Sequence, residues 1–346
     1  INEPDVWCKA TDYIQEQIDL IKELEAKGFT YVTSDGVYFD TEKFPNYNKL
    51  SHLKLEELKE GARIEKNSEK KNPTDFALWK FNTTGEKRQM EWESPWGAGF
   101  PGWHIECSAM SLHFLKGHLD IHCGAVDHIN IHHTNEIAQS EAATGEKFFN
   151  YCIHGAFLNV GDDEKMSKSV GNILTLELVT GEERVDPLAF RYACLLTHYR
   201  KPMSYKAGML QQADAALKNI RRSLESLPHE IGKVDEACEA EFLAAINDDL
   251  NMPQAVAVWQ SVLKSTLADD VKAATIQRFD EVLGLNLTLG KITEELPEEI
   301  RQLAAERERA RADRDWATSD ALREQLEKLG YSVEDGAEGM KIRRNF

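Results

Sequence analysis

No stretch of this 346-residue sequence approaches the roughly 20 consecutive apolar residues that span a bilayer. No basic segment leads into an apolar one near its first residues either, so nothing in it reads as a secretory leader. The six cysteines (Cys8, Cys107, Cys123, Cys152, Cys194, Cys238) lack the spacing of a secreted disulfide framework. That favours a reducing compartment, the cytoplasm by default, with any special cysteine acting as ligand or nucleophile. Positive charge is also in deficit: 41 Lys and Arg stand against 59 Asp and Glu, a net charge of −18. A broad basic face for nucleic acid is therefore disfavoured. Residues 301–346 differ, with ten Lys/Arg and ten Asp/Glu, so an Arg-rich neutral tail can still meet RNA locally. No internal repeat and no low-complexity tract is present.

What is there is a globular composition, 42% hydrophobic with a mean hydropathy of −0.49. The length suggests roughly two or three domains. Apolar residues at helical spacing (Val6, Tyr13, Ile14, Ile18, Ile21, Leu24) predict a helix over 4–27, ending at Gly28. Tyr31 to Phe39 predicts a hairpin, with Asp35-Gly36 supplying the turn. Residues 62–75 read as a surface loop, Phe76 to Phe81 as a strand. A Gly/Pro-rich stretch, 94–102, precedes a helix from Trp103 to Leu115. Leu119 to Cys123 reads as a strand, His132 to Ala143 as a helix, and Tyr151 to Val160 as a further strand. Strand, helix, strand is the order of a parallel α/β sheet, whose ligands gather at the carboxyl ends of the strands. From about residue 174 onward the periodicity is helical: Ala207 to Leu227, Glu239 to Asn247, Pro253 to Leu267 and Val271 to Leu283 predict a bundle. Two helices and a Gly-containing end at Tyr331 to Gly336 form a small final unit.

Three constellations carry chemistry. In Lys165-Met166-Ser167-Lys168-Ser169, two lysines three apart alternate with hydroxyls after a predicted strand. Such a cationic loop can close over a triphosphate and neutralise departing pyrophosphate; it can equally be a solvated loop. His132 and Glu136, four apart on a predicted helix, project from one face. With Cys107 they make a thiolate, an imidazole and a carboxylate, all zinc ligands, one short of a tetrahedron. A buried cysteine and a helix-capping histidine would account for the same residues. In the tail, Arg311, Trp316 and Asp320 lie on an Arg/Asp-laced stretch that fits either unpaired bases or a solvated helix anchored by Trp316.

Taken as a block, Ser94-Pro95-Trp96-Gly97, Gly102 to Met110 and His132-His133-Thr134-Asn135-Glu136 to Ser140 strongly resemble cysteinyl-tRNA synthetases. The lysine loop is identical to the signature loop of class I aminoacyl-tRNA synthetases. The resemblance runs in order from about Ile1 to Phe346. It implies an α/β fold: part of a class I Rossmann-like catalytic domain, then an α-helical bundle and a small anticodon-binding unit. The implied boundaries are 1–172 for the catalytic part with its connective insertion, 173–205 for a stem-contact segment opening at Asp186-Pro187, 206–290 for the bundle and 291–346 for the anticodon unit.

The resemblance further implies ATP-dependent activation of cysteine and its transfer to tRNA(Cys), with Zn2+ as cofactor, Mg2+ accompanying ATP, no membrane partner and a monomer. Lys165 and Lys168 become the catalytic pair. ATP contacts fall on His122, Gly124, Asp127, Lys165, Ser167, Lys168 and Ser169, although Cys123 and Ala125 stand where glycines are usual. Trp103 walls the cysteine pocket, and Cys107, His132 and Glu136 hold the metal that takes the substrate thiolate. Ligation to zinc would separate cysteine from serine, isosteres that an apolar pocket tells apart poorly. Arg311, Trp316, Asp320 and Asp335 would read the anticodon. A His-Ile-Gly-His-like motif and a fourth zinc ligand have no counterpart, so the expectation is a chain that starts partway through the enzyme and activates cysteine negligibly. Two other readings stay open: a cysteine ligase acting on an amino-sugar amine, and a non-catalytic tRNA-binding fragment.

Overall fold

The computed structural model describes residues 2–52, 68–83, 85, 88–161, 164–165, 175–183, 185–228, 232–287, 297–329, 331–336 and 339–344. Its contacts divide the chain into two compact units, Ile1–Ala156 and Phe157–Phe346.

In the first unit, α1 (Ile14–Ala26) buries Ile18, Leu20, Ile21 and Leu24 along one stripe and stops before Gly28, whose φ of +81° suits the left-handed conformation. The helix expected from residue 4 starts ten residues later. Val6 and Trp7 are solvent-exposed, so the earlier periodicity has no surface to pack on, and only a 3-10 turn at Ala10–Asp12 precedes α1. An antiparallel sheet follows in the order β1 (Thr30–Thr33), β2 (Gly36–Phe39), β3 (Phe76–Phe81), β4 (Gly99–Pro101). The hairpin is as expected, but its turn is not Asp-Gly. Thr33 pairs with Gly36, leaving Ser34-Asp35 as the loop, and Gly36 is a strand residue. A Cβ there would lie 2.3 Å from the Trp79 carbonyl oxygen, so glycine serves close strand approach. Phe39 and Phe76 stack at 5.1 Å, with Leu78 and Trp79 fully buried beside them.

Next come α2 (Trp103–Leu115), β5 (Leu119–Ala125), α3 (His132–Thr144) and β6 (Phe149–Gly155). β5 and β6 pair in parallel, His122 opposite Cys152 and Gly124 opposite His154, with α3 as the crossover. α2 and α3 contribute Ile105, Ala109, Ala138, Ala142 and Ala143 to the core shared with α1 and the sheet. α3 is unlike an ordinary surface helix: residues 132–140 are all buried, polar ones included. A helix end this polar and this dry needs partners for each group.

The second unit opens on β7 (Leu158–Val160), which pairs antiparallel with β8 (Glu164–Lys165). The single strand expected over Tyr151 to Val160 is thus two, interrupted at Ala156-Phe157. Then come α4 (Leu176–Glu183), α5 (Pro187–Leu195) and β9 (Met203–Tyr205), a strand parallel to β7 that periodicity did not reveal. The bundle is α6 (Met209–Glu225), α7 (Glu236–Asn247), α8 (Met252–Lys264) and α9 (Asp269–Leu283). Side-chain caps start several of these helices: Asp186, Asp235 and Asn251 accept from the backbone amides of Leu188, Cys238 and Gln254. Phe242 and Phe279 stack at 4.0 Å in a core that also holds Trp259. α10 (Glu298–Ala312), α11 (Trp316–Lys328) and the hairpin β10 (Tyr331–Gly336) with β11 (Gly339–Arg344) close the chain around Ile300, Leu326, Tyr331 and Val333. Among the described residues no helix is long and apolar enough to cross a membrane.

Candidate functional site

The polar start of α3 is where the chemistry collects. His132 and Glu136, one turn apart, face Cys107 from the second turn of α2, and the ligand atoms of the three lie within 4.8 Å of one another. Glu136 is fully buried. Its Oε2 accepts a hydrogen bond from His122 Nε2 on β5 at 2.7 Å. Its Oε1 lies 3.5 Å from His132 Nε2 and makes no hydrogen bond. Burial acts to raise this carboxyl, but His122 and His132 outweigh it and hold the group down at about 2. An ionised oxygen without a hydrogen-bond donor, at the centre of a dry site, fits a metal ligand. Cys107 points the same way. Burial and the neighbouring Glu136 carboxylate push its thiol up to about 12, so only a cation at the site would hold the thiolate. The donor set of sulfur, imidazole nitrogen and carboxylate suits zinc.

Imidazoles crowd this corner. His104 Nδ1 stands 2.9 Å from His132 Nδ1, and burial, then His132, lowers His104 to about 4. Gln139 holds the loop side of α2 by donating to the His104 carbonyl and to Ser108 Oγ, each at 2.6 Å. His122, His133 and Glu136 make a second overlapping set of potential ligands. Trp103, at the start of α2, is 59% exposed, with its ring centroid 4.3 Å from that of His132. It stands at the exposed edge of the site, beside His132.

Of the residues expected to contact ATP, His122 turns its side chain onto Glu136, Gly124 lies within β5, and Asp127 is exposed on the short turn Val126–His128. Lys165 ends β8, its backbone paired with Asn159. Ser167, Lys168 and Ser169 lie outside the described residues. In the tail, Trp316 is 57% exposed at the start of α11, with the Arg311 guanidinium 5.9 Å from its ring centroid. Trp316 is therefore not the buried anchor of a solvated helix. Asp320 is exposed one turn further along α11, and Asp335 is a β10 residue. Sequence reasoning missed His104, His133, Cys152 and His154, which the fold brings to the same corner. Cys152 and His154 had a signal, since alternate residues of a strand share a face.

The family described as tRNA synthetases class I (C) catalytic domain matches residues 1–215, and the cysteinyl-tRNA ligase anticodon binding domain matches residues 293–343. A cysteine–tRNA ligase 1 of Burkholderia lata is 46% identical over 341 residues, 98% of this chain and 72% of that protein. A cysteine–tRNA ligase of Legionella pneumophila is 42% identical over 354 residues, 99% of this chain and 76% of that protein. Among solved structures, a putative arginyl-tRNA synthetase from Campylobacter jejuni shares the fold, with a TM-score of 0.50 at 12% identity over 84% of this chain and 65% of that one.

Proposed function

Because this chain belongs to the cysteinyl-tRNA synthetase family, we propose that the Cys107–His132–Glu136 corner is where it holds and selects cysteine. The observation that carries the reading is the convergence of those three ligand atoms within 4.8 Å, with the Trp103 ring beside His132. A bound zinc would supply a soft Lewis acid that prefers a thiolate to a hydroxyl. The protein's own part is orientation. His122 fixes one oxygen of Glu136, His104 fixes the ring of His132, and Trp103 bounds the space a cysteine side chain would enter.

Lys165 and Lys168 are assigned to the phosphates, where two ammonium groups would offset the charge that grows on departing pyrophosphate. His122, Gly124, Asp127, Ser167 and Ser169 are assigned to the nucleotide, and Mg2+ to the ATP. The acceptor is tRNA(Cys), read through Arg311, Trp316, Asp320 and Asp335. The anticodon-binding match over residues 293–343 supports a tRNA acceptor over an amino sugar. The domain division given by the resemblance, and a monomeric state, are retained as part of the proposal.

Cysteine binding is the decisive test. The Co2+-loaded chain already carries the Cys107 thiolate band, and titration with cysteine should raise its charge-transfer intensity by a second thiolate, which serine does not do. An unchanged spectrum with both amino acids, in a folded chain that has taken up Co2+, would remove the proposed role of this corner. Cysteine-dependent ATP–pyrophosphate exchange addresses turnover separately.

A further inference from the structure

A second group of ligand atoms lies beside the first and shares no residue with it. His133 is the second residue of α3, while Cys152 and His154 are alternate residues of β6 and so share one face of that strand. His133 Nδ1 is 2.8 Å from His154 Nε2, and Cys152 Sγ is 3.4 Å from the first nitrogen and 3.3 Å from the second. His133 and His154 are only 2% and 8% exposed.

The backbone makes room for this triangle. Gly124 on β5 lies opposite His154, and a Cβ there would come within 2.5 Å of His133 Cε1 and 2.7 Å of its Nε2. The missing side chain lets the His133 ring lie across β5 and reach β6. The ring is also bracketed, with its centroid 4.2 Å from that of His122 and 5.3 Å from that of His128. Its Nε2 lies 3.9 Å from the Glu136 carboxylate, beyond hydrogen-bond distance but on the side away from Cys152 and His154 that Nδ1 faces.

We propose that His133, Cys152 and His154 form a second metal site, for Zn2+ or another borderline-soft divalent cation, next to the Cys107–His132–Glu136 corner. Zinc bonds of about 2.0–2.1 Å to nitrogen and about 2.3 Å to sulfur put neighbouring tetrahedral ligands roughly 3.3–3.6 Å apart. The two sulfur–nitrogen edges, at 3.4 and 3.3 Å, are within about 0.3 Å of the length a zinc ion would set. The nitrogen–nitrogen edge must open by about 0.5 Å, as the ion takes the place of the proton the two imidazoles now share. Two nitrogens and one thiolate leave a fourth position for water or a substrate atom. Binding releases the Cys152 thiol proton to solvent, while the ring that carried the shared proton takes one up on its far nitrogen, so both imidazoles stay neutral.

The test is a metal count on the full chain. Wild type, Cys107→Ala, Cys152→Ala and the double variant are dialysed against Zn2+ with a competing chelator and analysed for bound metal. The expected counts are two equivalents, one, one and none. In the Co2+-loaded proteins the thiolate charge-transfer band should persist in each single variant and vanish in the double. One equivalent in wild type, lost wholly in Cys107→Ala, would overturn the proposal, as would two equivalents retained in Cys152→Ala. If Cys152→Ala fails to fold, Cys152→Ser keeps the size and gives up the thiolate, and the same counts apply. Loss of an equivalent in Cys152→Ala but not in Cys107→Ala would sustain this site and remove the other, so the two readings fail separately.

Discussion

His104 Nδ1 and His132 Nδ1 face each other at 2.9 Å, and one proton between them decides which ring donates. His132 Nε2 points towards Glu136, so a metal taken there leaves the proton on His132 Nδ1, with His104 as acceptor. The lowering of His104 to about 4 keeps it neutral and able to accept. His104→Ala should weaken zinc binding by about 10–100-fold, the usual cost of losing an orienting partner. His104→Gln, which retains an acceptor, should recover part of it. Chelator competition on the three proteins reads both effects; equal affinities would show that His104 does not position His132.

A second prediction concerns acid stability in the first unit. Asp35 accepts from Thr33 Oγ1 at 2.7 Å, from Tyr38 OH at 3.1 Å and from Lys80 Nζ. Burial acts to raise its carboxyl, but Lys80 and Thr33 outweigh it, and the group lies below its ordinary 3.8. A depressed carboxyl stabilises the fold above its unfolded value and loses that contribution as pH falls through the folded one. Asp35→Asn should cost about 1 kcal/mol at pH 7, and the gap from wild type should close as pH drops below about 4. Urea melts across that range provide the check, and a gap that widens in acid would contradict the assignment.

In the helical bundle the aromatic stack should dominate. Phe242 and Phe279 lie 4.0 Å apart with rings 5° from parallel, and Phe279 is fully buried. Phe279→Ala should cost about 3–5 kcal/mol, while Phe279→Leu should cost much less. Thermal or denaturant unfolding of the two variants tests the order.

The tail offers the reverse case, a large side chain that the fold does not need. Trp316 is 57% exposed, so Trp316→Ala should leave the melting temperature nearly unchanged. Its loss should weaken tRNA(Cys) binding by about 1–3 kcal/mol if a base stacks there, with Trp316→Phe intermediate. A filter-binding titration that shows equal affinity would take Trp316 out of the anticodon contact.

Legibility in the sequence followed locality. α2 was readable to both its ends, and β5, α3 and the bundle helices nearly so, because each rests on a continuous pattern and a local stop signal. β4, β8 and β9 were not, since strands of two or three residues are defined by partners far along the chain. The extension of α1 back to residue 4 failed for the opposite reason: Val6 has the right spacing, but it and its neighbour Trp7 are exposed, with no core beneath them. His132 and Glu136 were a helical pair by spacing alone. Cys107 joined them by its ligand chemistry and not by any local spacing, because the packing of α2 on α3 that unites the three spans 25 positions of sequence between Cys107 and His132. Strand alternation pairs Cys152 with His154, but bringing His133 to them needed the parallel pairing of β5 and β6, which no local pattern encodes.

α3 does two jobs along one axis: its first two turns carry His132, His133 and Glu136, and its later turns press Ala138, Ala142 and Ala143 into the core. Ion binding and hydrophobic packing are therefore drawn on the same rigid rod, and neither can relax without moving the other. A cation held at its head would act as a rivet for the whole first unit, so that the midpoint of its melting curve becomes a gauge of free metal concentration.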